Sequence, residues 1–360
     1  MRRDVFRILV IAGLCATVQG EPRTWTSREG KTAVAEFQAV ENGTLVLVKS
    51  GKTLRLPLVD FSDEDQAYAR QCMAAQAASR EQAEAERREK FKSLPGLRKE
   101  VPISERRWAD WEDYYTESVC GKKMMAFFKN ERSIVDVADK GVFVSVEEAV
   151  RPPDYAPSMI TYCPEDYDST EKIGVYIHIG AGPKAVAPNP GYCEMMDNHR
   201  LVYASPNGTS NAEADMRRCA ITLDALAQLR KDFNVDENRI YVGGTSGGGA
   251  ESTFATFLWP QDFRAAFNSV RSFQVTSSTC LPFADSSDIR TASKNRQPFA
   301  FISGPGDSNY PYMPRSEENF REHGFVVRFF DIPGMKHQMA SPETFDQVIR
   351  WVEANNPRLK

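Results

Sequence analysis

From Ile173 onward the chain alternates short apolar runs with amphipathic stretches, the pattern of parallel strands joined by crossover helices. Ile173-Gly174-Val175-Tyr176-Ile177-His178 is a near-continuous apolar strand that stops at Gly180-Ala181-Gly182. Leu201-Val202-Tyr203-Ala204 stops in the same way at Ser205-Pro206-Asn207-Gly208. Across residues 212–233, Met216, Cys219, Ala220, Leu223, Leu226 and Ala227 recur at helical spacing and predict an amphipathic helix. Further strands are predicted before Gly243, at Ala265–Val270, at Pro298–Ser303 and at Val326–Ile332. Ser341-Pro342 opens a last helix that turns Phe345, Val348, Ile349 and Val352 to the core. Upstream, Gly141–Val146 and Ser158–Cys163 read as strands, and Trp108, Trp111, Tyr114 and Tyr115 as the packing face of a short helix.

The N-terminal part follows other periods. In Ala33-Val34-Ala35-Glu36-Phe37-Gln38-Ala39 the odd positions are apolar while Glu36 and Gln38 face the other way, a strand alternation. Asn42-Gly43 is a hairpin turn into Leu45-Val46-Leu47-Val48, and Ser50-Gly51 turns again into Leu54-Arg55-Leu56-Pro57-Leu58. Ser62-Asp63-Glu64-Asp65 starts a helix with an acidic first turn. From there to about Lys92 the sequence is alanine-rich and charged. Glu84 with Arg88 and Glu86 with Lys90 stand at i,i+4 spacing, which predicts a solvated helix without a coiled-coil stripe. The expected boundaries are 22–75 for a small β domain, 76–100 for a helical linker and 101–360 for a large α/β domain.

The chemistry centres on Arg239-Ile240-Tyr241-Val242-Gly243-Gly244-Thr245-Ser246-Gly247-Gly248-Gly249-Ala250. Gly244-x-Ser246-x-Gly248 between a strand and a helix reads as a nucleophile elbow, with glycine needed wherever a Cβ would strike a neighbour. A serine hydroxyl needs a base, and the base needs an orienting acid. Of four histidines, His337 lies in a loop between the last strand and the last helix, whereas His199 and His323 sit in polar stretches and are expected at the surface. Asp307 follows Phe301-Ile302-Ser303-Gly304-Pro305-Gly306 at the end of the preceding strand. Asp331 is its main competitor, and Asp285 and Asp288 have no strand immediately before them. The expected catalytic set is Ser246, Asp307 and His337, in the chain order of α/β-hydrolases. The N–H of Gly247, with that of Gly180 or Ala181, is expected to meet the oxyanion. His178 is expected to order that loop, with a core histidine as the other reading. No metal or organic cofactor is called for.

On these residues, roughly 130–356 resemble the α/β-hydrolase superfamily. Asp236-Glu237-Asn238-Arg239-Ile240-Tyr241-Val242 before the elbow resembles secreted feruloyl-esterase and polyhydroxyalkanoate-depolymerase-like enzymes. The resemblance implies an α/β-hydrolase fold, a mostly parallel sheet flanked by helices, and cleavage of a carboxylic ester through an acyl-enzyme. The strand at Ile173–His178 resembles the family strand leading to an H-G-type oxyanion loop, but Ile179 intervenes and the loop reads His178-Ile179-Gly180-Ala181-Gly182. Two rivals stay open: a serine peptidase of the prolyl-oligopeptidase type, and a non-catalytic hydrolase-like binding module. The N-terminal block resembles the Sla-one homology domain, an SH3-like small barrel. The matching residues are Arg23-Thr24-Trp25-Thr26, Gly43, Gly51, Leu56-Pro57-Leu58 and Ser62-Asp63-Glu64-Asp65-Gln66. That likeness implies a short-peptide or surface partner, with a folded spacer as the other reading.

Composition adds an address. Arg2, Arg3 and Arg7 precede an apolar run from Ile8 to Val18, and Val18-Gln19-Gly20 offers a cleavage site before Glu21, so residues 1–20 read as an export signal. The run is too short to span a bilayer, and no stable membrane span is expected. Cleavage takes Arg2, Arg3, Arg7 and Asp4 from 45 basic and 49 acidic residues, leaving 42 against 48, net −6. That balance offers no basic face for nucleic acid. Cys72, Cys120, Cys163, Cys193, Cys219 and Cys280 remain, an even number that permits disulfides without assigning them. The 271–296 segment, with Cys280, is the expected specificity element.

Overall fold

A computed structural model describes residues 22–91, 94–105, 111–128, 156–275 and 284–360, leaving out the side chains of 111–113, 127 and 128. The proposed export signal, the strand expected at Gly141–Val146, Trp108, the Trp111 side chain and Cys280 lie outside the described residues. The chain divides into two compact units between Arg87 and Arg88.

The first unit is an antiparallel meander of β1 (Arg23–Thr26), β2 (Thr32–Glu41), β3 (Thr44–Lys49) and β4 (Lys52–Pro57), paired in chain order. Its two hairpins turn on residue pairs with positive φ throughout, Asn42 and Gly43 at 49° and 78°, Ser50 and Gly51 at 50° and 76°. That conformation matches the strand twist, which is why these residue types mark the turns. Trp25, Phe37, Leu45, Leu47 and Phe61 close a small core. Arg23 reaches Asp65 at 2.7 Å and lies over the Tyr68 ring, tying β1 to the start of α1 (Asp63–Lys90). That helix is one unbroken element, buried only at Asp65, Gln66 and Ala69. No break falls at residue 75, where the sequence had placed a boundary. The expected linker also runs too far at its other end, because Gly96–Pro102 is a strand of the large sheet.

In the second unit that strand, β5, is followed by β6 (Ser158–Cys163), β7 (Ile173–Ile179), β8 (Leu201–Pro206) and β9 (Val235–Thr245). Then come β10 (Ala265–Ser269), β11 (Pro298–Ser303) and β12 (Val326–Asp331). The order across the sheet is β12-β11-β10-β9-β7-β8-β6-β5. From β8 through β12 every pair is parallel, and β6 runs antiparallel to both of its neighbours. All seven residues of β7 are buried, as a strand covered on both faces requires. One face carries α2 (Trp111–Glu117), α3 (Gly121–Phe128), α5 (Asp215–Asp232), α6 (Gly247–Leu258), α7 (Ser286–Lys294) and α8 (Met313–Glu322). The other carries α4 (Pro190–His199) and α9 (Pro342–Asn355). Tyr114 and Tyr115 are buried in the first layer, and Trp259 Nε1 donates to Tyr114 O at 2.8 Å. Helix α5 carries the expected apolar stripe, with Ala227 half-buried, but also buries Arg217, Arg218 and Asp224. The five described cysteines are free thiols. Among the described residues no helix is long and apolar enough to cross a membrane.

Candidate active site

Strand β9 runs straight into α6 through Ser246, whose φ of 58° and ψ of −124° are a strained conformation for a residue with a side chain. Two contacts hold it there. Ser246 N–H donates to Ser269 O at 3.0 Å, and Ser246 O accepts from Ala250 N–H at 3.1 Å. The flanking glycines are required by close approach: a Cβ on Gly244 would lie 2.5 Å from Ile179 O, and one on Gly248 only 1.9 Å from it. The elbow therefore presses against the end of β7, where the Gly180 loop begins.

Parallel register aligns the strand ends that follow. Thr245 pairs with Ser269, Ser269 with Ile302, and Ser303 with Asp331. A tight turn after β11, closed by Asp307 N–H on Gly304 O at 3.0 Å, sets Asp307 at this edge. The loop after β12 runs beside it through a bridge between Gly306 and Lys336. His337 Nδ1 consequently lies 2.8 Å from Asp307 Oδ1. The carboxylate is fully buried and also accepts from Ser303 Oγ at 2.9 Å and Asn309 N–H at 3.1 Å. His337 is 43% exposed, with Nε2 on the side of the ring away from the acid. Among the described residues Ser246 Oγ has no hydrogen-bond partner, so the serine–histidine contact is open while the histidine–aspartate contact is closed.

A mostly parallel eight-stranded sheet with an elbow serine at its carboxyl edge decides the architecture. This is an α/β-hydrolase fold. No protein-family model and no curated protein matches the sequence. Among solved structures the chain is similar to Est1E from Butyrivibrio proteoclasticus at 12% identity, covering 56% of this chain and 94% of that one with a TM-score of 0.43. A ferulic acid esterase gives 15%, 57%, 94% and 0.44. A thermophilic esterase of the planctomycete Thermogutta terrifontis, Est2 with propionate bound, gives 14%, 55%, 89% and 0.40. Similarity at this level leaves the assignment of fold to the sheet and the elbow themselves.

The other expected residues sort by their surroundings. Asp331 is exposed at the end of β12 and accepts from Tyr310 Oη at 2.9 Å. Asp285 and Asp288 cap α7. His178 is wholly buried between Tyr176 and Tyr203, and burial pushes its imidazole down to about 4, so it is a neutral core histidine. His199 corrects the expectation of a surface residue: it is buried, with Nε2 2.8 Å from Asp346 Oδ1. The polar stretch around it is α4, whose end packs against α9. His323 is half-buried and contacts Asn319 O at the end of α8.

Of the oxyanion candidates, Gly247 is the first residue of α6, where backbone N–H groups have no intrahelical acceptor. Gly180 N–H already donates to Thr209 Oγ1 at 3.1 Å. Ala181 N–H has no acceptor among the described residues, and Ala181 O accepts from Asn211 N–H at 2.9 Å. The Asn211 side chain lies against the elbow, its Oδ1 1.8 Å from where a Gly247 Cβ would stand. Thr209, Asn211, Ser303 and Asn309 were not singled out in the sequence. Only Ser303 carried a signal, its place four residues before Asp307. Beside the loop a cleft of about 680 Å³ opens between Glu100, Ser158, Lys184, Asn207 and Glu213. Glu100 stands at a bulge in β5 with φ of 56°, a device that re-aims a side chain.

Proposed function

We propose that the chain is a serine hydrolase that cleaves carboxylic esters, with Ser246 as nucleophile, His337 as base and Asp307 as its orienting acid. The observation that carries this reading is the 2.8 Å His337–Asp307 contact, at the same sheet edge as a serine held at positive φ. Ser246 Oγ attacks the acyl carbonyl while His337 Nε2 takes the proton. Asp307 holds the proton of Nδ1 and balances the imidazolium. The N–H groups of Gly247 and Ala181 meet the oxyanion in a site already oriented for it. His337 then protonates the departing alcohol, and water, activated by the same imidazole, releases the acid. The preference for an ester over a peptide bond rests on the resemblance of Asp236–Val242 to feruloyl-esterase and depolymerase-like enzymes. In the same reading residues 1–20 are removed on export, and the N-terminal unit is an SH3-like module that engages a peptide or a surface.

Purified chain should hydrolyse short acyl esters of p-nitrophenol with saturable kinetics and leave proline-containing peptide substrates intact. Turnover of peptides alone would move the assignment to a peptidase. Inertness towards both classes would favour a binding module.

A further inference from the structure

Beneath the elbow lies a buried ionic cluster that the mechanism above does not use. Arg218, on α5, is almost fully buried and carries one guanidinium to two loops and one helix. Its Nε donates to Thr209 O at 3.1 Å and its Nη2 to Gly180 O at 3.3 Å. Its Nη1 lies 3.4 Å from Glu251 Oε2 on the elbow helix and 3.8 Å from Asp215 Oδ1. Glu251 is completely buried and also accepts from Cys219 Sγ at 2.9 Å.

The contact with Gly180 O matters because of what shares its peptide. Gly180 C=O and Ala181 N–H belong to one planar trans unit and point in opposite directions. Pinning the oxygen down into the cluster turns the N–H away from it. The flanking peptides are fixed as well, by Thr209 Oγ1 on Gly180 N–H and by Asn211 N–H on Ala181 O. Without a clamp, a peptide between residues of the Gly180-Ala181-Gly182 loop would reorient at low cost, since glycine accepts both signs of φ. A positive charge on the carbonyl oxygen also polarises the unit and strengthens its N–H as a donor.

The geometry points to Arg218 as a positioning residue, which orients the Gly180–Ala181 peptide so that Ala181 N–H, and not Gly180 N–H, is the second oxyanion donor. This inference rests on the esterase reading and names a device of the same site. A purely structural role makes a different forecast. Buried ion pairs replaced by apolar residues of similar volume often leave a protein as stable or more so. A clamp replaced in this way leaves the fold but removes orientation.

The test compares wild type with Arg218→Met/Glu251→Met and with Arg218→Lys, which keeps a charge beside the carboxylates but lacks the fork to reach both carbonyls. Each is assayed for melting temperature, for kcat and KM on a p-nitrophenyl ester, and for affinity towards a trifluoromethyl ketone, whose hemiketal mimics the oxyanion. The double variant should still fold and melt cooperatively, keep its KM, and lose kcat and ketone affinity together by about 10²-fold, the scale of one oxyanion donor. Arg218→Lys should show the same split with a smaller loss, and it decides the matter if the double variant does not fold. A folded variant with kcat and ketone affinity unchanged, or with KM alone affected, overturns the assignment while leaving the esterase intact. A wild type that turns over no ester overturns the esterase reading and this inference with it.

Discussion

Asp307 is held by three groups and His337 by one, so the two partners respond differently to substitution. Asp307→Asn keeps the size of the side chain but offers one acceptor oxygen to Ser303, Asn309 and His337 and carries no charge to balance an imidazolium. It should lower kcat by about 10⁴-fold with little change in melting temperature. Asp331→Asn, at an exposed site paired with Tyr310, should leave kcat unchanged and cost less than about 1 kcal/mol of stability. Kinetics and thermal melts of both variants check this, and the reverse ranking would move the acid to Asp331. His178 makes a second prediction. Burial pushes its imidazole down to about 4 from the usual 6.5. An unfolded chain therefore binds more protons than the native one between these values, and native stability falls as pH drops through that window. The loss amounts to about 3 kcal/mol. Stability measured by denaturant from pH 7 to pH 4 should decline less for His178→Gln than for wild type, and parallel curves would contradict the buried, neutral assignment. At this scale Ser246, Asp307 and His337 could be picked out of the sequence because each follows a recognisable strand. Arg218, Thr209 and Asn211 were not, because their partners lie in other segments and no local spacing announces them.

Among the elements the elbow has little freedom. Ile179 O stands 1.9 Å from a Cβ on Gly248, backbone against backbone, so neither side can yield by a rotamer change. Gly248→Ala should cost about 1–3 kcal/mol or more and displace the Gly180 loop, lowering activity as well. Gly182→Ala, with nothing within 4 Å of the added carbon, should leave the melting temperature near wild type. Similar melting temperatures for the two would contradict the close contact at the elbow. Strand positions were readable where a strand is buried on both faces, as in β7, or where a turn needs positive φ, as at Asn42-Gly43 and Ser50-Gly51. Strand β5 was not. Gly96-Leu97-Arg98-Lys99-Glu100-Val101-Pro102 is an edge segment with three charged residues in a row, and its partner β6 begins at Ser158. Helix α1 hid its true length for a related reason. Its alanine-rich, charged sequence supports helix from end to end and marks no internal boundary.

Over the whole molecule, the division between Arg87 and Arg88 predicts that the second unit carries its own core. A fragment of residues 94–360 should melt cooperatively and keep the ester kinetics of the full chain. A fragment that unfolds, or that needs residues 22–91 for turnover, would contradict that independence. The overall plan, a small β unit followed by a parallel sheet, was visible in the change of apolar period along the chain. Where one unit ends was not, because continuous helix spans the division.

The central claim is that Ser246 attacks the substrate, and labelling of the full chain by a fluorophosphonate tests it most directly. Wild type should carry the label on Ser246 by peptide mass mapping. Ser246→Ala should take none, while His337→Ala should react far more slowly. Both variants should retain the wild-type melting temperature. In ester turnover each should lose on the order of 10⁵-fold or more, and the double variant little beyond either, because nucleophile and base act as one unit. Undiminished labelling of Ser246→Ala, or losses that multiply in the double variant, would contradict the account.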